Sequence, residues 1–444
     1  MSNNMRSRFT DQHPILKVVF ASFAGSTIEW YDFSIFSASS ALVFNKIFFA
    51  NFDPVVGLLL SLLTYAVGYI VRPVGGIIFG HFGDRIGRKP VLIVTFVMMG
   101  GATIMMGLLP TYAAIGTWAP VMLASLRIVQ GLALGGEYGG AALLVSETSP
   151  PQHRGFFSSA ALIGLAAGSM LGTAVFGLFS SLPVAQFLSW GWRVPYLLSM
   201  LLVVVGLWIR MRVDETPDFK RAERAQKVQR VPLLQVLRND LKRVLLICGA
   251  RTGQTVQYNV VAVFALGYAT KYRGVHSTVF LTAISVSAFL SIFVIPASGA
   301  LSDRIGRRPV GRLAGLASIV FGAVFIPLIS TGSDWLVMLA VISMLGVSAG
   351  LGNALPSAYF PELFKTEVRY TAVSLGYQMG TVIGGLTPAI CTVLFMYFGV
   401  AAIAVYTVAA GLLVLVCFTL LPETLTLESS SKAAATISGA KRSE

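Results

Sequence analysis

The 444-residue chain is 55% hydrophobic and only 12% charged, with a mean hydropathy of +0.76. A water-soluble domain holds about 25% charged residues, so this composition excludes a soluble enzyme or binding module as the bulk of the chain. The net charge of +14 would suit nucleic acid, but no soluble module carries it, and the basic residues gather in alternate loops, a pattern of membrane topology.

Apolar runs long enough to cross a hydrocarbon core about 30 Å thick recur along the whole length. Twelve helical spans are predicted, at about 17–44, 54–82, 91–109, 118–145, 156–180, 192–210, 243–270, 277–300, 310–330, 334–357, 370–396 and 400–421. The first has no small-residue cleavage site after a short apolar core, and reads as a retained span, not a signal peptide. One set of loops carries Arg6, Arg8, the 85–89 cluster, Arg154, the 210–243 segment, Arg304 to Arg312, Lys365, Arg369 and Lys441. The opposite set holds little beyond Lys46, Lys271 and Arg273. By the positive-inside rule both termini are cytoplasmic. Cys248, Cys391 and Cys417 fall inside spans without a ligand partner at useful spacing, so they read as packing residues. No metal or cofactor is expected.

The chain repeats itself. GHFGDRIGRKP at Gly80 to Pro90 returns as GALSDRIGRRP at Gly299 to Pro309, an offset of 219 residues. Glu147 and Arg154 match Glu362 and Arg369 at an offset of 215, and Glu215-Thr216 after span six matches Glu423-Thr424 after span twelve. The expected organisation is an N-terminal six-helix bundle over 1–210, a polar cytoplasmic linker over 211–242, a C-terminal six-helix bundle over 243–424 and a small polar tail from 425 to 444 that reads as disordered.

Six spans, a basic linker and six spans with the same loop signatures resemble the major facilitator superfamily. SFAGSTIEWYDF in span one, VRPVGG in span two, HFGDRIGRKP, RIVQGLALGGEYGGAAL in span four and FLSWGWRVPY entering span six narrow the resemblance to its metabolite:proton symporter family. The resemblance implies an all-α, twelve-helix protein of two pseudo-symmetric bundles, working by alternating access in a bacterial inner membrane. It also implies importers of shikimate, α-ketoglutarate, citrate, proline or betaine, and aromatic acids. In that family the repeated loops latch the halves on the cytoplasmic side, through charge-assisted hydrogen bonds. By the same resemblance Asp84, Arg85 and Arg88 with Glu147 and Arg154 form one latch, and Asp303, Arg304 and Arg307 with Glu362 and Arg369 the other. The plainer alternative is that these charges only anchor topology.

Charges inside spans are functional candidates, because each costs about 2.5–3.5 kcal/mol to insert. Glu29 and Asp32, three apart in span one, share a helical face. Arg72 lies in span two, Arg127 and Glu137 in span four, and Arg251 in span seven. Depth along the spans pairs Asp32 with Arg127 near the midplane and Arg72 with Glu137 nearer the cytoplasm. The first pair resembles one in proton-coupled sugar porters, and makes Asp32 the leading proton-coupling carboxylate, with Glu29 next. Desolvation and a neighbouring guanidinium pull such a group's protonation in opposite senses. Arg72 with Glu137 reads as a structural salt bridge or a substrate contact. Gln130 lies between Arg127 and Glu137 on nearly the same stripe. Arg251, Gln254, Thr255 and Tyr258 make one face of span seven polar, which a water-filled cavity tolerates and lipid does not. Trp30, Tyr31, Phe36, Asn353, Tyr377 and Gln378 complete the candidate pocket.

The expectation is therefore proton-coupled symport of a small organic anion, since guanidinium groups suit carboxylates through bidentate geometry. A zwitterionic osmolyte such as proline or betaine is the alternative within the same fold, and a non-transporting sensor the alternative outside it. A drug exporter fits the span-one and span-four motifs less well. Enzymatic activity is not expected, because the four histidines lie at or outside span ends and no nucleophile constellation appears. Expected partners are the organic anion, protons and the bilayer, with no nucleic acid. A monomer is the default for this architecture.

Overall fold

A computed structural model describes residues 3–86, 88–149, 151–211, 236, 238–365 and 368–425; side chains are not described at 3–19, 21, 80–81, 83–89, 92, 136–144, 146–148, 151, 160–161, 209–210 and 370. Among the described residues the chain is helical, with turns and bends but no strand. The helical runs match the twelve expected spans. The first half contains α1 (Asn3–Leu42), α2 (Pro54–Ile70 and Arg72–Ile86), α3 (Arg88–Leu108), α4 (Trp118–Thr148), α5 (Arg154–Ala161 and Ile163–Ser180) and α6 (Phe187–Gly191 and Arg193–Met211). The second contains α7 (Leu241–Asn259, Val260–Ala265 and Leu266–Tyr272), α8 (Ser277–Ile305), α9 (Arg307–Ser330), α10 (Asp334–Val341, Ile342–Ala349 and Gly350–Asn353), α11 (Arg369–Gly385 and Thr387–Phe398) and α12 (Ala401–Leu420).

Among the described residues, nine helical segments are long and apolar enough to cross a bilayer. The first stretch of α7 is not among them, because Arg251, Gln254, Thr255, Gln257 and Asn259 lie in it and are buried in protein instead. Its middle, Val260–Ala265, widens to a π-helix, a local change of winding that often marks functional sites.

Small residues set how closely the helices approach. Gly164, Gly168 and Gly172 on α5 face the backbone of α1, and a Cβ on Gly168 would stand 2.1 Å from the Thr27 carbonyl oxygen. Lipid supplies no hydrophobic drive for helices to associate, so close packing of this kind holds the bundle together. Across the two halves, α5 packs on α8, α2 on α11 and α1 on the π segment of α7. The cavity described next lies among these contacts.

Candidate functional site

Four helices of the first half and three of the second enclose one cavity of about 60 Å³. Its walls are Ser26, Glu29, Trp30 and Phe33 of α1, Tyr69 and Arg72 of α2, Leu134 of α4, and Leu162 and Leu165 of α5. Opposite them stand Arg251, Gln254, Thr255 and Tyr258 of α7, Ala349 and Asn353 of α10, and Tyr377 and Gln378 of α11. Each half thus supplies one guanidinium, held over an aromatic ring. Arg72 lies 4.5 Å from the Tyr69 ring centroid and 5.0 Å from that of Phe33. Arg251 lies 4.3 Å from the Tyr377 ring. Such stacking steadies a cation without consuming its in-plane donors. The Nε atoms of both arginines have no hydrogen-bond partner. One other Arg251 nitrogen donates to Gln254 Oε1 at 3.4 Å, and Gln254 in turn donates to the Gly352 carbonyl at 3.1 Å. Trp30 and Tyr258 meet edge to face at 5.4 Å and close the wall between the halves.

Behind the cavity, inside the first half, lies a buried polar chain. Arg127 donates to Gln130 Oε1 at 2.5 Å, Gln130 Nε2 donates to Thr103 Oγ1 at 2.9 Å, and Thr103 Oγ1 donates to Asp32 Oδ2 at 2.7 Å. Asp32, Arg127 and Gln130 are each 1% exposed. The expected direct pair of Asp32 with Arg127 is therefore corrected: two neutral side chains separate them. Arg127 instead lies among rings, 4.0 Å from Phe36, 5.0 Å from Phe33 and 5.4 Å from Tyr65. This aromatic box, invisible to a count of charges by depth, holds the guanidinium away from the carboxylate. Asp32 Oδ1 has no hydrogen-bond partner, an incomplete shell for a fully buried carboxyl.

Toward the face whose loops carry little charge, polar contacts cross between the two halves. Tyr65 donates to Asn259 Oδ1 at 2.7 Å and Ser37 Oγ to the Ala262 carbonyl at 3.3 Å, while Asn259 Nδ2 is held within the second half by the Gly384 carbonyl at 2.9 Å. Toward the basic face, Asp303 accepts from the Gly155 and Phe156 amides at 2.8 and 3.0 Å, a carboxylate on the start of α5 where the helix dipole favours negative charge. Arg307 bonds Asp303 at 2.7 Å and reaches Glu362 with two nitrogens, at 3.0 and 3.2 Å. Arg154 Nη1 lies 3.9 Å from Glu362. Glu423 accepts from the Arg307 and Arg308 amides at 3.0 and 2.9 Å. Gly306, at φ 103°, lets the chain turn against that carboxylate, which stands 2.7 Å from where a Cβ would be. Burial pushes the Tyr359 phenol above its ordinary range, so it remains a neutral donor to the Pro422 carbonyl at 2.6 Å.

Of the residues singled out from the sequence, Glu29, Trp30, Arg72, Arg251, Gln254, Tyr258, Asn353, Tyr377 and Gln378 meet at the cavity. Tyr31, Arg127, Gln130 and Phe36 do not line it; the Tyr31 hydroxyl is spent on the Pro195 carbonyl at 2.8 Å. Arg304 is exposed and takes no part in the Asp303–Arg307–Glu362 cluster. Arg369 bonds the Phe364 carbonyl at 3.4 Å. Asp84, Arg85, Arg88, Glu137 and Glu147 lie outside the described side chains. The sequence reading missed Thr103, an ordinary-looking hydroxyl in an apolar span, and Asn259. It also gave no role to Tyr65 and Tyr69, although with Arg72 they follow the i, i+4, i+7 stripe of one helical face.

A family model described as "Sugar (and other) transporter" matches residues 17–235, and one described as "Major Facilitator Superfamily" matches 246–442. The chain is 37% identical over 407 residues to the shikimate transporter of Escherichia coli, covering 89% of this chain and 92% of that protein. It is 32% identical over 393 residues to the proline/betaine transporter of the same organism, covering 86% and 78%. Among solved structures, a D-xylose-proton symporter superimposes with a TM-score of 0.69 at 17% identity, covering 92% of this chain and 98% of the other. A partially occluded inward-open form of the xylose transporter XylE from E. coli gives 0.70 at 18%, with the same coverage.

Proposed function

The chain belongs to the major facilitator superfamily and is a multi-pass membrane transporter of small molecules, not an enzyme, and we propose that it imports a small organic anion by proton-coupled symport. The observation that carries this reading is the convergence of Arg72 and Arg251, one from each half, on a single cavity. Among the described lining residues Glu29 is the sole acid. Two guanidinium planes fixed by rings present preorganised donors to a carboxylate, while Gln254, Asn353, Tyr258 and Gln378 supply neutral donors and acceptors for its other polar groups. The relation to a shikimate transporter supports the same cargo class.

The proton site in this reading is Asp32. It sits one turn from Glu29 on α1, so cargo bound against α1 acts on the same rigid helix that carries Asp32. A small rotation of α1 changes the Thr103 contact and the distance to Arg127, and with them the hold on the proton. The basic face is the cytoplasmic one in this scheme, with both termini there, and the Asp303 contacts to α5 must break when the cavity opens inward. The halves are the two six-helix bundles on either side of the 211–242 linker.

Purified protein in liposomes tests the reading. With an inward-directed proton gradient, radiolabelled shikimate, α-ketoglutarate or citrate should accumulate above equilibrium. Collapse of the gradient with an ionophore should release it. No accumulation of any of the three would reject organic-anion symport. A zwitterionic cargo is the second reading, favoured by Glu29 beside the Trp30–Tyr258 corner, an arrangement suited to a quaternary ammonium. Accumulation of betaine or proline with no carboxylate uptake would select it.

A further inference from the structure

The cavity walls repeat in register. On α1 they are Ser26, Glu29, Trp30 and Phe33, and on α7 they are Arg251, Gln254, Thr255 and Tyr258, each 225 residues later in the same order. The two helices also meet at matched positions, because the Ser37 hydroxyl donates to the Ala262 carbonyl across the same separation of 225. This register makes Gln257 the counterpart of Asp32, and the surroundings agree. Asp32 accepts from Thr103 on the third helix of its half, and Gln257 Oε1 accepts from Ser318 on the third helix of the other, at 3.0 Å. Thr103 is joined to α4 through Gln130, and Ser318 to α10 through Ser348 at 2.9 Å. Gln257 is 2% exposed, and its Nε2 lacks a partner as Asp32 Oδ1 does.

The first chain continues through Gln130 to Arg127 where the second ends on Ser348, and the two differ in their titratable groups. At both matched positions the first half has an acid and the second an amide: Glu29 against Gln254, Asp32 against Gln257. An amide keeps the shape and the acceptor of a carboxyl but neither takes up nor releases a proton at physiological pH. The sequence extends the contrast, since no Asp or Glu lies between Asp240 and Asp303, between Asp303 and Asp334, between Asp334 and Glu362, or between Glu367 and Glu423. Asp32 is faced by Glu29 and Tyr31 on its own helix, Arg127 on α4 and Tyr196 on α6. Gln257 bonds the hydroxyl of Ser318 on α9, itself joined to Ser348 on α10, and the ionisable groups that its own helix places at the cavity wall are Arg251 and Tyr258.

We infer that the second half carries a neutral copy of the proton relay, with Gln257 at the vacant proton position, so that one proton, held on Asp32, moves with each cargo molecule. The inference rests on the proton-coupled reading above. The second half holds cargo through Arg251 and its amides without titrating, and its Gln257–Ser318–Ser348 chain keeps α7 in the geometry that α1 has.

Accumulation at static head tests it, in proteoliposomes with the membrane potential clamped at zero and radiolabelled shikimate as the probe. One proton per singly charged anion gives about tenfold more accumulation for each imposed pH unit, and two protons about a hundredfold. A tenfold slope for the unaltered protein is expected. A hundredfold slope would overturn the inference while leaving proton coupling intact, whereas no response to the gradient would reject the coupled reading itself. Gln257→Glu supplies the missing carboxyl and should steepen the slope beyond tenfold. Infrared pH-difference spectra of the reconstituted protein need no cargo: Gln257→Glu should add a titrating buried-carboxyl band, and Asp32→Asn should remove one. A folded Gln257→Glu protein without a new band, and with an unchanged slope, would show that position 257 is no counterpart of the proton site.

Discussion

Asp32 and Arg251 carry different parts of the chemistry, and single substitutions separate them. Asp32 is fully buried behind the cavity, where its hydroxyl donor is Thr103. Asp32→Asn keeps the shape and the Thr103 contact but cannot exchange a proton, so it should abolish gradient-driven accumulation and leave cargo exchange at equal pH measurable. Accumulation equal to that of the unaltered protein would remove Asp32 from the coupling step. Arg251 faces the cavity and stacks on Tyr377. Replacing it with Gln removes donors to a charged cargo, a loss of about 1.5–3 kcal/mol. Half-saturation for the transported carboxylate should therefore rise about tenfold to a hundredfold. Arg251→Lys keeps the charge but not the planar fork and should recover only part of that loss. An unaltered half-saturation in Arg251→Gln would place cargo elsewhere.

At the scale of elements, the cavity exists because helices approach closely at specific points. The α1–α5 seam is the clearest case. Gly168 meets the Thr27 carbonyl so nearly that any side chain must push the helices apart. By contrast, a Cβ on Gly101 of α3 meets nothing within 4 Å. Gly168→Leu should lower the thermal unfolding midpoint of the detergent-solubilised protein by several degrees, as overpacking of about 1–3 kcal/mol or more demands, while Gly101→Leu should leave it within about a degree. Equal midpoints for the two variants would show that the seam is not closed. Helix α7 makes the complementary point. Its polar face was legible in the sequence, because Arg251, Gln254, Thr255 and Tyr258 recur at helical spacing within an apolar run. The aromatic box around Arg127 was not legible, since Phe33, Phe36 and Tyr65 look like ordinary membrane residues until three helices bring them round one guanidinium. For the same reason sequence depth alone pairs Asp32 with Arg127: depth along a span is readable, but rotation about its axis and the neutral groups in between are not. The twelve spans and their repeat, by contrast, follow from bilayer thickness and loop charge alone, and those were readable.

For the molecule as a whole, alternating access requires that contacts between the halves be breakable on each side in turn. On the basic face the described contacts converge on Asp303, which accepts from the first two amides of α5 that follow Arg154 and is held in place by Arg307, itself anchored on Glu362. Because Arg307 and Glu362 belong to the second half, this cluster fixes the carboxylate; the bonds of Asp303 across the halves are those to the helix start, beside the Arg154–Glu362 approach at 3.9 Å. Charge there is worth more than shape. Asp303→Asn retains one acceptor but loses the ionic contribution to the two amide bonds, about 1.5–3 kcal/mol for charge-assisted hydrogen bonds, and so favours the form open on the basic face by about tenfold to a hundredfold. A thiol at position 357 reports that opening, because Ser357 is 1% exposed and its hydroxyl donates across the halves to the Ser158 carbonyl. With Cys248, Cys391 and Cys417 replaced by Ala, the reaction of Ser357→Cys with a membrane-impermeant maleimide should quicken about tenfold or more when Asp303→Asn is added. Arg304→Gln, on an exposed side chain outside the cluster, should leave the rate unchanged. Equal labelling in the Asp303→Asn and Asp303 forms would mean that the halves are held together on this face by something other than the carboxylate at the start of α5.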